Sequence, residues 1–154
     1  MAPVCFSDER AVSVSAERLW KVILDVPAMA KVCAGFVDAV EVEGDGGPGT
    51  INTLKLNPGS IYKTRLVACD NTSYVMKSEV VEAQSKVGKF KSHTLESKLE
   101  AAGAGSCVAK LKVECELEDG SLLSPEQEKM IVDGYFGMLQ MIEAYLVAHA
   151  AEYA

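Results

Sequence analysis

The stretch VEVEGDGGPGTINTLKL, Val40 to Leu56, decides how the rest of the chain is read. Four of the twelve glycines (Gly44, Gly46, Gly47 and Gly49) fall within six residues of it. Val40 and Val42 alternate with Glu41 and Glu43 on one side, and Leu54 and Leu56 with Thr53 and Lys55 on the other. A period of two on both sides of a glycine cluster predicts strand, tight loop, strand. Two phosphate-binding patterns touch this loop. Gly44-x-Gly46-x-x-Gly49 has the dinucleotide spacing, but that motif needs a helix after the loop, and here a strand follows. Gly44-x-x-x-x-Gly49 begins like a Walker loop, but Thr50 stands where lysine is required, and Glu43 and Asp45 repel an anion. The loop therefore reads as a structural hairpin. Its glycines accept positive φ, and Pro48 holds φ at about −65°.

Outward from the hairpin, strands are expected at about 50–57, 61–69, 73–83, 89–101 and 106–118. Turn signals stand at Asn57-Pro58-Gly59, Asp70-Asn71, Gly88 and Ala102 to Gly105. Upstream lie a strand over 3–12, a helix over 16–25 capped by Ser15, a break at Pro27, a short helix over 28–34 ending at Gly35, and a strand over 36–43. Parity assigns the faces. Tyr62, Thr64 and Leu66 oppose Lys63 and Arg65; Tyr74, Met76, Ser78 and Val80 oppose Lys77 and Glu79. Cys107, Ala109, Leu111, Val113, Cys115 and Leu117 oppose Lys110, Lys112, Glu114 and Glu116, the cleanest alternation in the chain.

Ser124-Pro125-Glu126-Gln127 is a strong helix start, with a cap, proline in the first turn and glutamine closing a capping box. The helix runs to about His149, roughly 36 Å. Ile131, Tyr135, Met138, Ile142, Tyr145 or Leu146, and His149 make one stripe. This helix must cover the concave face of the sheet, because no other segment supplies enough apolar surface. The architecture is α+β: a curved seven-stranded antiparallel sheet, two short helices and a long C-terminal helix in one domain over 1–154.

Composition narrows the function. Apolar residues make up 49% of 154 and charged residues 24%, as expected of a globular domain with a real core. The net charge of −7 disfavours nonspecific binding to nucleic acid or anionic membrane. Five cysteines (Cys5, Cys33, Cys69, Cys107 and Cys115), an odd number without a C-x-x-C pair, read as buried free thiols. That points to a reducing, cytosolic location. No signal peptide and no apolar run of eighteen is evident. A monomer is expected, with no metal and no cofactor.

The inward set is chemically mixed: Tyr62, Thr64, Met76, Ser78, Tyr135 and Met138. Buried hydroxyls need partners, and methionines adapt to varied shapes. Gly134 and Gly137 each cost about 1 kcal/mol relative to alanine inside a helix. Two of them in one turn suggest a bendable helix or space beside it. A solid core with satisfied hydroxyls and a partly wet cavity for an amphipathic small molecule are the two readings.

The element order and several motifs resemble the class-ten pathogenesis-related proteins of plants, the family of the major birch pollen allergen. The matches are Val42 to Ile51 (VEGDGGPGTI), Ala16 to Trp20 (AERLW) and Glu143 to His149 (EAYLVAH). Lys110 to Glu114 (KLKVE) and the C-terminal wording are most similar to members from cereal grasses. The resemblance covers the whole chain and implies a helix-grip fold, related to lipid-transfer START domains, around a large cavity. It implies cytokinins, flavonoids, steroids or fatty acids as ligands, cytosolic location and induction by pathogens or stress. Carried over by position, Ile23, Met29, Leu56, Tyr62, Thr64, Met76, Ser78, Ile131, Tyr135 and Met138 would contact the ligand.

Family members are also described as ribonucleases, which would make RNA a substrate here. Glu96, Glu143 and Tyr145 match the proposed catalytic residues, while Asn52 stands in place of the lysine. Lys55 is near Asn52 but on the opposite strand face. Two residues on a helix are about 200° apart, so Glu143 and Tyr145 do not face one phosphate. His93 and His149 are the remaining acid–base candidates. Relatives that condense or isomerise alkaloid precursors use a pocket lysine, and no inward lysine is read here. A receptor that binds abscisic acid and inhibits a phosphatase is a further alternative, though the loop at 57–61 is short and carries no evident gate.

Overall fold

The structure, a computed structural model, describes residues 4–83 and 89–154. The elements are β1 (Val4–Val12), α1 (Ala16–Leu24), a 3-10 turn at Val26–Ala28, α2 (Met29–Val32), β2 (Val37–Glu43), β3 (Ile51–Leu56), β4 (Ser60–Asp70), β5 (Val75–Ala83), β6 (Phe90–Gly103), β7 (Ser106–Leu117) and α3 (Pro125–Ala148). The strands form one antiparallel seven-stranded sheet in the order β1-β7-β6-β5-β4-β3-β2. Consecutive strands from β2 to β7 are neighbours, and β1 closes on the far side of β7. The turn expected at Gly88 lies outside the described residues.

Local chemistry explains the ends of the helices. The Ser15 hydroxyl accepts from the Arg18 backbone N–H, and α1 buries Leu19, Trp20 and Val22. The helix expected over 28–34 is a single turn, preceded by the 3-10 turn that carries Pro27. Gly35, at φ +90°, then turns the chain into β2. At α3 the capping box is complete: the Gln127 N–H donates to Ser124 Oγ and the Ser124 N–H to Gln127 Oε1. The Arg18 guanidinium donates to the carbonyls of Leu146 in the last turn of α3, of His149 at its C-cap and of Glu152 beyond it, at 2.8, 2.6 and 2.8 Å. It thereby satisfies groups that a helix end leaves unpaired.

The buried stripe of α3 is Val132, Phe136, Leu139, Ile142 and Leu146. At three positions it is rotated by one residue from the expected stripe, which places Ile131, Tyr135 and Met138 beside it rather than in the packed core. The expected end of the stripe, His149, is exposed. It lies beyond the last helical residue, where the chain has left the helix axis. The inner face of β7 is as read: Cys107, Ala109, Leu111, Val113, Cys115 and Leu117 are all buried. All five cysteines are free thiols. Cys33, Cys107 and Cys115 are buried and Cys69 half-buried, but Cys5 is exposed on β1, contrary to the expectation for it. Cys5 is opposite Glu114 of β7 and so shares the outer, solvent-facing side of the sheet.

Candidate functional site

Strands β3 to β6 and the N-terminal half of α3 do not meet in a packed core. They enclose a cavity of about 750 Å³. The β3 wall is Asn52, Leu54 and Leu56, and the β4 wall is Tyr62, Thr64 and Leu66. Strand β5 adds Met76, Ser78 and Ala83, and β6 adds Phe90, His93, Leu95 and Ser97. Helix α3 closes the space with Ile131, Gly134, Tyr135 and Met138, and α1 with its following turns adds Ile23, Pro27 and Met29. All ten residues expected to contact a ligand therefore border one space.

A change of parity explains one wall. Thr64 pairs with Val80 but Lys63 with Glu82, so one extra residue sits at Val81. Such a bulge reverses the alternation. Ala83 thus faces the cavity in place of Glu82, and no carboxylate is buried there.

The glycine loop is one rim of the cavity, through Gly44, Asp45, Gly46 and Thr50. Gly44 sits at φ +127°, and a Cβ there would come within 2.8 Å of Thr50 Oγ1. The amides of this loop are already engaged. Gly46 N–H donates to Thr50 Oγ1 at 2.9 Å, Gly47 N–H to Asp45 Oδ1 at 2.9 Å and Gly49 N–H to the Leu66 carbonyl at 2.8 Å. They are not free to cradle a phosphate, and the loop serves the hairpin and the cavity rim.

Apart from Asp45 at the rim, the polar groups of the wall are neutral. Burial holds the Tyr62 phenol well above its ordinary pKa, and the Tyr135 phenol beside it adds to the effect. Burial also raises Tyr135, against a hydrogen bond with Ser97 that lowers it. His93 is 7% exposed, its ring lies tilted with its centroid 4.5 Å from that of Phe90, and neither ring nitrogen has a hydrogen-bond partner. Burial pushes its pKa down to about 4. Among the described residues no lysine or arginine lines the cavity, and Asp45 is its single acid. Among the described residues, too, no group of three or more His, Cys, Asp or Glu side chains could hold a metal ion.

The residues weighed for RNA cleavage are not brought together. Glu96 lies on the outer face of β6, between Lys77 of β5 and Lys112 of β7, because its parity is opposite to that of Leu95 and Ser97. Glu143 accepts from the Ser13 backbone N–H on the other side of the sheet. Tyr145 donates to the Glu152 carboxylate and stacks on His149. None of the three borders the cavity. Asn52 does border it, whereas Lys55 pairs with Glu41 at 3.0 Å on the outer face. The two histidines are also apart, since His93 is in the cavity wall and His149 at the exposed end of α3.

The wall contributed by β6 was not read from the sequence, although its signal is present. His93, Leu95, Ser97 and Leu99 alternate with Thr94, Glu96, Lys98 and Glu100. A register shift between Phe90 and Ser92 breaks the alternation at its start.

Comparison with known proteins places this geometry. A family model described as polyketide cyclase / dehydrase and lipid transport matches residues 3–146. The chain is 32% identical to major pollen allergen Cor a 1 isoforms 5, 6, 11 and 16 of Corylus avellana over 146 residues, 91% of each chain. It is 25% identical to pathogenesis-related protein STH-2 of Solanum tuberosum over 155 residues, the full length of both. Among solved structures, Ara h 8.0201 superposes with a TM-score of 0.80 at 20% identity, over 95% of this chain and 99% of that one. Norcoclaurine synthase from Thalictrum flavum, in complex with dopamine and hydroxybenzaldehyde, superposes with a TM-score of 0.70 at 22% identity, over 96% and 90%. At those identities the two structures establish the shared fold. The match of the family model, together with the full-length likeness to pollen allergens and a pathogenesis-related protein, means that the chain belongs to the polyketide cyclase, dehydrase and lipid transport family, in its branch of pathogenesis-related proteins of the birch pollen allergen type.

Proposed function

We propose that this protein is a defence-related carrier of a small amphipathic ligand, held in the cavity between the sheet and α3. The observation that carries the reading is the cavity itself: about 750 Å³, mostly apolar, with the hydroxyls of Tyr62, Thr64, Ser78 and Tyr135 in its wall. That size and that mix of many apolar and few convergent polar groups suit a ligand of drug-like dimensions. A cytokinin, a flavonoid or a steroid has an apolar body and isolated polar groups that fit such a wall. The potato relative is named a pathogenesis-related protein, and family membership supports carrying a role in defence over to this chain. A cytosolic location agrees with five unpaired cysteines. Among the described residues no helix is long and apolar enough to cross a membrane.

Filling the cavity tests the proposal. Kinetin and quercetin are titrated calorimetrically into the wild type, Tyr135→Trp and Met138→Trp, with folding checked by circular dichroism. At least one ligand is expected to bind the wild type and to lose tenfold or more in affinity in both variants. Unchanged affinity in both variants would show that binding occurs elsewhere.

A further inference from the structure

The cavity carries an unusual polar group that the general reading does not use. His93 reaches the wall from near the start of β6, 7% exposed, with both ring nitrogens lacking a hydrogen-bond partner. Buried polar atoms are almost always paired, so two unpaired nitrogens on one ring call for an explanation. A ligand in the adjoining space can supply the partner. The torsion between Cβ and the ring is broad, so the ring, which borders the cavity, can reorient toward a ligand.

Charge narrows the class of ligand. Among the described residues lining the cavity there is no lysine or arginine, and the one acid, Asp45, stands at the rim beside the glycine loop. The groups facing the same space are the phenols of Tyr62 and Tyr135, both held protonated by burial. Across the β6–β7 ladder His93 is opposite Cys115, a thiol that burial also keeps protonated. The imidazole itself stays neutral at pH 7, since burial pushes it down to about 4. A carboxylate entering this space would lose its water and meet no countercharge, which is strongly unfavourable. A hydroxyl loses less and can donate to the unprotonated ring nitrogen.

Resting on the reading of the cavity as a ligand site, we infer that it takes an uncharged, hydroxyl-bearing aromatic ligand in preference to a carboxylate, and that His93 is the residue its hydroxyl hydrogen-bonds. His93 is then a determinant of specificity rather than a structural core histidine.

Three probes of one shape separate the possibilities: naphthalene, 2-naphthol and 2-naphthoate, titrated at pH 7. The wild type is expected to bind 2-naphthol roughly tenfold more tightly than naphthalene, the worth of one hydrogen bond to a buried group. It is expected to bind 2-naphthoate at least tenfold more weakly than 2-naphthol. His93→Leu should bring the ratio of 2-naphthol to naphthalene below about threefold, and His93→Gln, which keeps a hydrogen-bonding group, should restore part of it. The wild type supplies a readout that needs no variant: a ring-nitrogen resonance of His93 should move on addition of 2-naphthol and stay with naphthalene. Equal affinity for 2-naphthol and 2-naphthoate, a ratio that survives His93→Leu, or an unmoved resonance would each overturn the inference while leaving ligand carriage in place. Binding of none of the three probes would overturn this inference, and if kinetin and quercetin also fail to bind, ligand carriage falls with it.

Discussion

Strands β7 and β4 belong to one sheet and show the same alternation, yet their inner faces have opposite fates. On β7, Cys107, Ala109, Leu111 and Val113 are at most 1% exposed, and on β4, Tyr62 and Thr64 are only half-buried because they border open space. The difference lies in what covers them. Helix α1 packs on β6 and β7 and brings Leu19, Trp20 and Val22, while the C-terminal half of α3 adds Leu146. Over β4 and β5 the cover is the middle of α3, where Gly134 borders the cavity without a side chain and Gly137, one turn further on, has none either. A Cβ added at either glycine would meet nothing within 4 Å. The absent side chains are thus not forced by close packing. One half of the molecule provides stability and the other provides volume.

The sharpest test of this division compares two leucines that lie one strand apart. Leu111 on β7 is 1% exposed, whereas Leu95 on β6 borders the cavity. Leu111→Ala should cost about 2–5 kcal/mol in urea unfolding, because it removes packed atoms and leaves a void. Leu95→Ala should cost about 1 kcal/mol, since the space beside it already exists and only partly buried apolar surface is lost. Equal costs would show that the cavity side is packed as tightly as the rest.

The next effect is acidic. A histidine whose folded pKa lies near 4, below its ordinary 6.5, is held neutral by the fold and takes up a proton more readily when unfolded. Stability therefore falls as pH drops from about 6.5 to about 4 and levels off below, by at most about 3 kcal/mol from this group. Urea unfolding followed between pH 7 and pH 4 should show His93→Leu losing less stability than the wild type, because the carboxylates titrate in both proteins and cancel in the difference. Parallel loss would mean that the imidazole is not buried in its neutral form.

The smallest effect has the opposite sign. Gly134→Ala and Gly137→Ala should each raise stability by up to about 1 kcal/mol, visible as a higher Tm, since alanine favours the helix and nothing obstructs its Cβ. A lower Tm would show that α3 needs to bend at this point.

Much of the fold was legible because its signals are local. The Val40–Leu56 hairpin, the Ser124 capping box and the alternation of β7 each follow from residues a few positions apart. Among the cavity residues, Tyr62, Thr64, Leu66, Met76 and Ser78 followed from parity, and Ile131, Tyr135, Met138 and Ile142 from the helical stripe. Ile23 and Met29 were carried by the family resemblance, and His93 and Ser97 were missed. Two kinds of feature resisted the reading. The extra residue at Val81 reverses the parity of β5 and brings Ala83 inward, and no turn residue announces it. The stripe of α3 was rotated by one residue, because Ile131, Tyr135 and Met138 are as apolar as the Val132, Phe136 and Leu139 that are buried.

The sequence by itself determined the order of elements, the hairpin, the helix start and the face of most strand residues, because hydrophobic period and capping act over one or two turns of backbone. Tertiary structure decided that a cavity lies under α3, that Glu96 and Glu143 lie on different sides of the sheet, and that His93 sits unpaired in its wall. Those outcomes depend on the curvature of the sheet and on how far α3 stands off from it. Both are set by contacts between residues far apart in the chain, and no local pattern encodes them.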